Sequence, residues 1–260
     1  MATITTTAAG NWNDANRYDL GRPPEAGDTV ELKHPTTYNV LDASVDRINV
    51  YAGGTMSITG SRRLQADFHT IDNGNAAIGS ITGTVIGNIH AAGGKTFTLA
   101  GSGVVVGDIY GGNHDGIAVS AGTVIGNATG SDTNYNVHGV RMFGGCFIGE
   151  AHGGTLGYGV FGAMAKFVVL RRCVGNGRRG FDGVGLVYVE ATEQNGTESA
   201  AYLNNTIYGL GDSTDVSHLT LTGTNDRQEA LFAAFANSAG DGSSGGVVGL
   251  SIGRLISGGV

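Results

Sequence analysis

The chain has 260 residues and carries 15 basic against 22 acidic side chains, a formal net charge of −7. That balance excludes a protein that coats nucleic acid through bulk positive charge, and no apolar run reaches the roughly 18 residues of a transmembrane helix. Glycine reaches 47 residues without a G-X-Y period and proline only 3, which excludes collagen, while 40% apolar residues suffice to build a core.

Residues 1–10 lack the basic and apolar regions of an export signal. No export signal is therefore expected. Residues 1–29 precede the first strand-like run and are expected to cap the first coil. Trp12, the only tryptophan, and Tyr18 are the expected plug of that cap.

From Val30 onward, short β-branched runs recur. The clearest are Thr84-Val85-Ile86-Gly87-Asn88, Val104-Val105-Val106-Gly107-Asp108 and Thr123-Val124-Ile125-Gly126-Asn127. Cys146-Phe147-Ile148-Gly149-Glu150 keeps the same apolar–Gly–polar ending. The four glycines, Gly87, Gly107, Gly126 and Gly149, stand at steps of 20, 19 and 23. A beat through Val30, Ile48, Phe68, Ile86, Val106, Ile125, Ile148, Val168, Val187 and Ile207 extends the period in both directions. The runs are too short for helices and are bounded by Gly, Asn and Asp, so they read as strands. Short strands at a fixed period near 20 define a β-solenoid, in which each coil lays its strands on those of the coil before. The expected architecture is an all-β, right-handed parallel β-helix over residues 30–223, of about ten coils at roughly 20 residues each. An antiparallel sandwich is the competing arrangement; it would show turn signals every 8–12 residues or so.

Residues 135–161 contain the widest step of the beat and five aromatics: Tyr135, Phe143, Phe147, Tyr158 and Phe161. Extra residues in one coil form a loop, and loops carry recognition. These five are the candidate contact residues for a glycan or protein. Gly157, Gly159 and Gly162 form a G-x-G-x-x-G, and Asp182 stands where a dinucleotide fingerprint places its acid. In a chain this rich in glycine the pattern arises by chance, and nucleotide binding is not expected.

Arg171, Arg172, Arg178 and Arg179 are the densest basic cluster and a candidate docking patch for an acidic neighbour. Asp182, Glu190, Asp212 and Asp215, with His218 near the last two, are the carboxylates that a polysaccharide lyase or hydrolase would draw on. Their spacing singles out no catalytic pair, and no catalytic residue is assigned. Asp215, Ser217 and His218 leave a Ser-His-Asp arrangement open, because triads are defined in space. His69, His90, His114 and His138 stand at steps of 21, 24 and 24. They drift against the strand beat, which argues against a ladder, and no histidine has a partner at zinc spacing. No metal or other cofactor is expected. Cys146 and Cys173 are expected to be buried thiols. Residues 226–236 have the spacing of one short helix. Residues 224–260 as a whole are expected to close the rod or to contact another subunit.

The segment Gly10-Asn11-Trp12-Asn13-Asp14, with Tyr18, Gly21, Pro24 and Gly27-Asp28-Thr29-Val30-Glu31-Leu32, resembles the opening of β-solenoid surface proteins. Autotransporter passengers and phage fibre proteins begin in this way. Residues 201–209 likewise resemble an Asn-Asn-Thr-Ile-Tyr-Gly coil of right-handed parallel β-helix proteins. The resemblance implies an N-terminal cap built on Trp12, Tyr18 and Asp28. With no export signal expected, it implies a bacteriophage virion protein assembled in the host cytoplasm and carried on the particle surface. Such proteins are commonly homotrimers. The expected function is non-enzymatic: capsid decoration or cement, with the major capsid protein and other copies of the chain as partners. The alternatives are a tail-fibre adhesin that binds host surface glycans, and a polysaccharide-degrading enzyme. Neither nucleic acid nor membrane is expected as a partner.

Overall fold

A computed structural model describes residues 1–72, 80–91, 93, 96–162, 167–184, 186–189, 192–195, 201–204 and 219–222. The chain is a parallel β-solenoid built from a 14-stranded and an 11-stranded sheet. Every pairing between the described strands is parallel, and most partners lie one coil apart in sequence.

Side chains alternate across each strand, and the inward set forms continuous apolar columns. One runs Ile4, Val30, Ile48, Phe68, Ile89, Ile109, Ala128, Ala151 and Cys173, with every side chain buried. A second runs Leu64, Val85, Val105, Val124, Phe147 and Val168. Across the interior, the other sheet contributes Phe97, Ile117, Val140, Val160 and Phe181. From Val30 to Cys173 the chain completes about seven turns, slightly fewer than the ten expected. The larger figure also took in residues beyond Cys173, where Leu186–Val189, Thr192–Gln194, Ala201–Asn204 and Leu219–Thr222 extend the sheets.

The beat read from the sequence changes column at the fourth coil. Phe68 pairs with Ile89, whereas Ile86 pairs with Gln65. The long strand Arg63–Thr70 faces two short ones, Thr84–Ile86 and Ile89–Ala91. A corner at Gly87-Asn88 separates these two. Ile86, Val106 and Ile125 therefore face outward, and the inward positions are Val85, Val105 and Val124. Ile148 pairs with Val169 and not with Val168.

The four repeated glycines are this corner. Gly87, Gly107, Gly126 and Gly149 have φ of +146°, +156°, +149° and +154°, a region that residues with a Cβ rarely occupy. A Cβ on Gly107 would overlap the carbonyl oxygen of Gly87. One on Gly126 would overlap that of Gly107, and one on Gly149 that of Gly126. Beside them runs a polar ladder. The Asn88 backbone N–H donates to Asp67 Oδ1 at 2.8 Å, that of Asp108 to Asn88 Oδ1 at 3.0 Å, and that of Asn127 to Asp108 Oδ1 at 2.9 Å. Asp and Asn alternate, so two carboxylates are never on adjacent rungs, about 4.8 Å apart.

At the N-terminal end Trp12 and Tyr18 are buried. The Tyr18 hydroxyl donates to the Trp12 carbonyl at 2.9 Å, and Trp12 meets Tyr38 edge to face. Arg17 is buried over the Tyr18 ring and donates to the Gly10 and Pro35 carbonyls and to Thr36 Oγ1. Asp28 accepts from the Arg22 guanidinium and from the backbone N–H groups of Ala2 and Glu25. Chiefly through Arg22, these donors hold its carboxyl down at about 2. Asp28→Asn, which removes the charge and one acceptor, is expected to cost about 1–2 kcal/mol by urea denaturation at pH 7, solvent screening at this edge included. An unchanged midpoint would show that the first strand is held without it.

The one helical turn among the described residues is the 3-10 turn Ala15–Arg17, capped by Asp14. The helix expected over 226–236 and the segment 224–260 lie outside the described residues. Both cysteines are free thiols; Cys173 is buried as expected, whereas Cys146 is only half-buried.

Candidate functional site

The corner that leads from the 14-stranded to the 11-stranded sheet widens in the later of these turns. Residues 130–139 connect Ala128–Thr129 to Val140–Met142. Residues 153–159 lie one coil on, and residues 176–180 one coil further. These three connections stack and bring together residues that are one coil period apart in sequence.

The 130–139 loop is tied down at both ends. Ser131 Oγ donates to the Gly112 carbonyl at 2.7 Å and accepts from the backbone N–H groups of Thr133 and Asn134 at 3.0 Å each. Asn134 Nδ2 donates to the Asn113 carbonyl at 3.2 Å, and the Thr155 backbone N–H donates to Asp132 Oδ1. Asn136 has φ +55°, the only positive φ outside glycine among the described residues; asparagine tolerates this left-handed conformation better than most. Its N–H donates to the Leu156 carbonyl at 3.1 Å.

His138 closes the loop and is buried at 3% exposure. Its backbone N–H donates to Asp115 Oδ1 at 2.7 Å, and Asp115 Oδ2 faces Arg141 Nε at 2.8 Å. The His138 Nδ1 accepts from the Tyr158 backbone N–H at 3.3 Å, which fixes the proton of the neutral ring on Nε2. Burial, assisted by the charges of Arg141 and Arg178, pulls the His138 pKa down to about 3. Burial pushes the Asp115 carboxyl up, and the His138 N–H and Arg141 partly offset it.

A column of planar groups grows outward from His138. Its ring stacks on Tyr158 at 5.1 Å and on Phe161 at 4.9 Å between centroids. The Arg178 guanidinium lies 5.8 Å from the centroids of both Tyr158 and Tyr135. Tyr135 itself is 65% exposed. The result is an exposed tyrosine on a tethered loop, with a cation held over one face of its ring.

The five aromatics read from the sequence thus separate. Tyr135, Tyr158 and Phe161 converge here. Phe147 is fully buried in an inward column and cannot meet a ligand. Phe143 is exposed at the turn after Val140–Met142, at the far end of that strand. His138 is a site residue that the sequence reading misses, although Tyr158 and then Arg178 follow it at one coil period each.

The four arginines divide between a strand and the corner that follows it. Arg171 and Arg172 are on the strand Phe167–Gly175, with Arg172 ion-paired to Glu193. Arg178 and Arg179 are at the corner, with Arg179 paired to Asp182 at 2.7 Å. Asp182 is thus held by a cation and has Phe161 as its neighbour in register. Glu190, Asp212, Asp215, Ser217 and His218 lie outside the described residues. The glycines of the G-x-G-x-x-G allow close coil contact: a Cβ on Gly157 would overlap the Val137 carbonyl.

A short histidine ladder does form, contrary to the expectation from the drifting spacing. His69 and His90 are direct partners in register, with rings 4.3 Å apart, and Tyr110 continues the stack at 4.5 Å. His114 and His138 belong to other columns. Among the described residues no group of three His, Cys, Asp or Glu is placed to hold a metal ion. No described helix is long and apolar enough to cross a membrane. Comparison with family models, curated proteins and solved structures gives no match.

Proposed function

We propose that the protein is a non-enzymatic structural component of a bacteriophage particle exterior, a homotrimeric decoration protein that stabilises the capsid by burying surface. The observation that supports this reading most directly is the outward apolar stripe Ile86, Val106 and Ile125, set in register on three consecutive coils. Val106 is 37% exposed. A parallel sheet that shows an apolar row on its outer face favours burial against another protein. With only 14% charged residues, the chain has little else to keep such a face solvated.

Sedimentation velocity on the purified chain tests this. A trimer is expected for the wild type, and Val106→Asp, which places a carboxylate on the stripe, is expected to shift the population to monomer with the fold retained by circular dichroism. Wild-type chain should bind capsid shells that lack it. A wild-type monomer that does not bind shells would exclude decoration.

A tail-borne adhesin is the second reading. It is favoured by one observation, the exposed Tyr135 presented on a tethered loop.

A further inference from the structure

We propose that the tip of the 130–139 loop is a binding site for a neutral saccharide, with the outer face of Tyr135 as the stacking platform and Asp132 and Asn134 as the hydroxyl-binding groups beside it. The proposal rests on the adhesin reading and gives it a ligand class.

An exposed aromatic ring offers a large rigid contact area with only two side-chain torsions to fix. Here much of that cost is met in advance. The Arg178 guanidinium sits over the ring, Ser131 and Asn134 tie the loop to the preceding coil, and Asp132 ties it to the next. The loop reads Ser131-Asp132-Thr133-Asn134-Tyr135-Asn136, and residues 132–136 are all exposed. A tyrosine among Ser, Thr, Asn and Asp is the composition of an adaptable polar contact surface around one aromatic anchor.

The chemistry of the ligand follows from these groups. A pyranose presents an apolar C–H face, which packs on an aromatic ring, and a rim of hydroxyls. Each hydroxyl both donates and accepts. Asp132 uses Oδ1 for the Thr155 N–H, which leaves Oδ2 to accept, and the Asn134 amide oxygen can accept as well. The cations of this corner are engaged within it. Arg141 faces Asp115, Arg179 faces Asp182, and Arg178 lies over Tyr135 and Tyr158. The exposed charge at the tip is that of Asp132, which disfavours a carboxylated sugar. A protein partner of ordinary interface size would need roughly 800 Å² on this side, and the tip offers a single aromatic anchor.

Saturation-transfer NMR with cellohexaose, maltohexaose, chitohexaose and a hyaluronan hexasaccharide tests the site. Transfer to at least one of the three neutral oligomers is expected. Tyr135→Ala should weaken that binding by about tenfold or more, Tyr135→Phe should retain it, and Asp132→Ala should weaken it. All three variants are expected to keep the wild-type circular dichroism spectrum, because neither altered side chain is buried. The proposal is overturned if no neutral oligomer receives magnetisation, if Tyr135→Ala binds like the wild type, or if only hyaluronan binds. It is also overturned if Tyr135→Ala loses capsid-shell binding while no sugar binds, since the tip is then a protein contact. A negative sugar result with an intact trimer that binds shells overturns the saccharide site and leaves the decoration reading in place.

Discussion

Gly126→Ala is expected to prevent the central coils from stacking, with a loss above about 4 kcal/mol, or no folded protein at all. Two costs combine. The backbone at φ +149° is a conformation worth roughly 1–3 kcal/mol of strain to a residue with a Cβ. The new methyl would also overlap the carbonyl oxygen of Gly107 in the coil below. Local relief is blocked because Gly107 is itself placed against Gly87, and Gly149 against Gly126; any shift of one corner is passed to its neighbours. Gly101→Ala is the control. Gly101 also has a positive φ, +65°, but a Cβ there meets only Thr82 at 3.5 Å, so a loss near about 1 kcal/mol is expected. Urea denaturation followed by circular dichroism compares the two. Equal losses would show that the corner column is not the constraint.

Acid is expected to destabilise the wide corner well before the carboxylates titrate. The His138 pKa is held at about 3 in the folded chain, against an ordinary value near 6.5. A base with a depressed folded pKa takes up protons preferentially when unfolded. Stability is therefore complete above about pH 6.5 and falls as pH drops toward 3. At pH 4 the loss is on the order of 3 kcal/mol. The contact at risk is specific: a proton on Nδ1 would take away the acceptor used by the Tyr158 N–H. The stacked pair adds to the same window, since burial holds His69 at about 4 and also lowers His90. Asp28 loses its contribution only below its ordinary range, as pH falls toward 2, and Asp115, whose carboxyl is raised, acts in the opposite direction. His138→Phe, which keeps the buried stack, should lower stability modestly at pH 7 and flatten the slope between pH 6.5 and 4. An unchanged slope in that variant would assign the acid sensitivity elsewhere.

The corner glycines are the clearest signal in the sequence because sterics leave glycine as the only residue for that position. The nearly equal spacings between Gly87 and Gly149 therefore mark one structural column. The apolar beat is less reliable. Val and Ile occur on both faces of these strands, so Ile86 and Val106 can be aligned with Phe68 although they face the other way. The coil period is sufficient to find the His138, Tyr158 and Arg178 column, but only if histidines are compared with the aromatics and arginines one coil away and not with one another. His90 stacks on His69 and then under a tyrosine, so a search for histidine alone stops short. That Phe147 points inward depends on its neighbours Val124 and Val168 in register, which an isolated aromatic-rich stretch does not disclose.

The alternation of Asp67, Asn88, Asp108 and Asn127 gives the rod a parity. Removal of one whole coil, for example residues 88–107, would leave the apolar columns and the glycine corner in phase but would seat Asp108 directly on Asp67. Removal of two would restore an acid beside an amide. Coils that look like interchangeable units are therefore electrostatically distinct in this stretch, and adding or removing a single one is discouraged by charge even where shape would allow it.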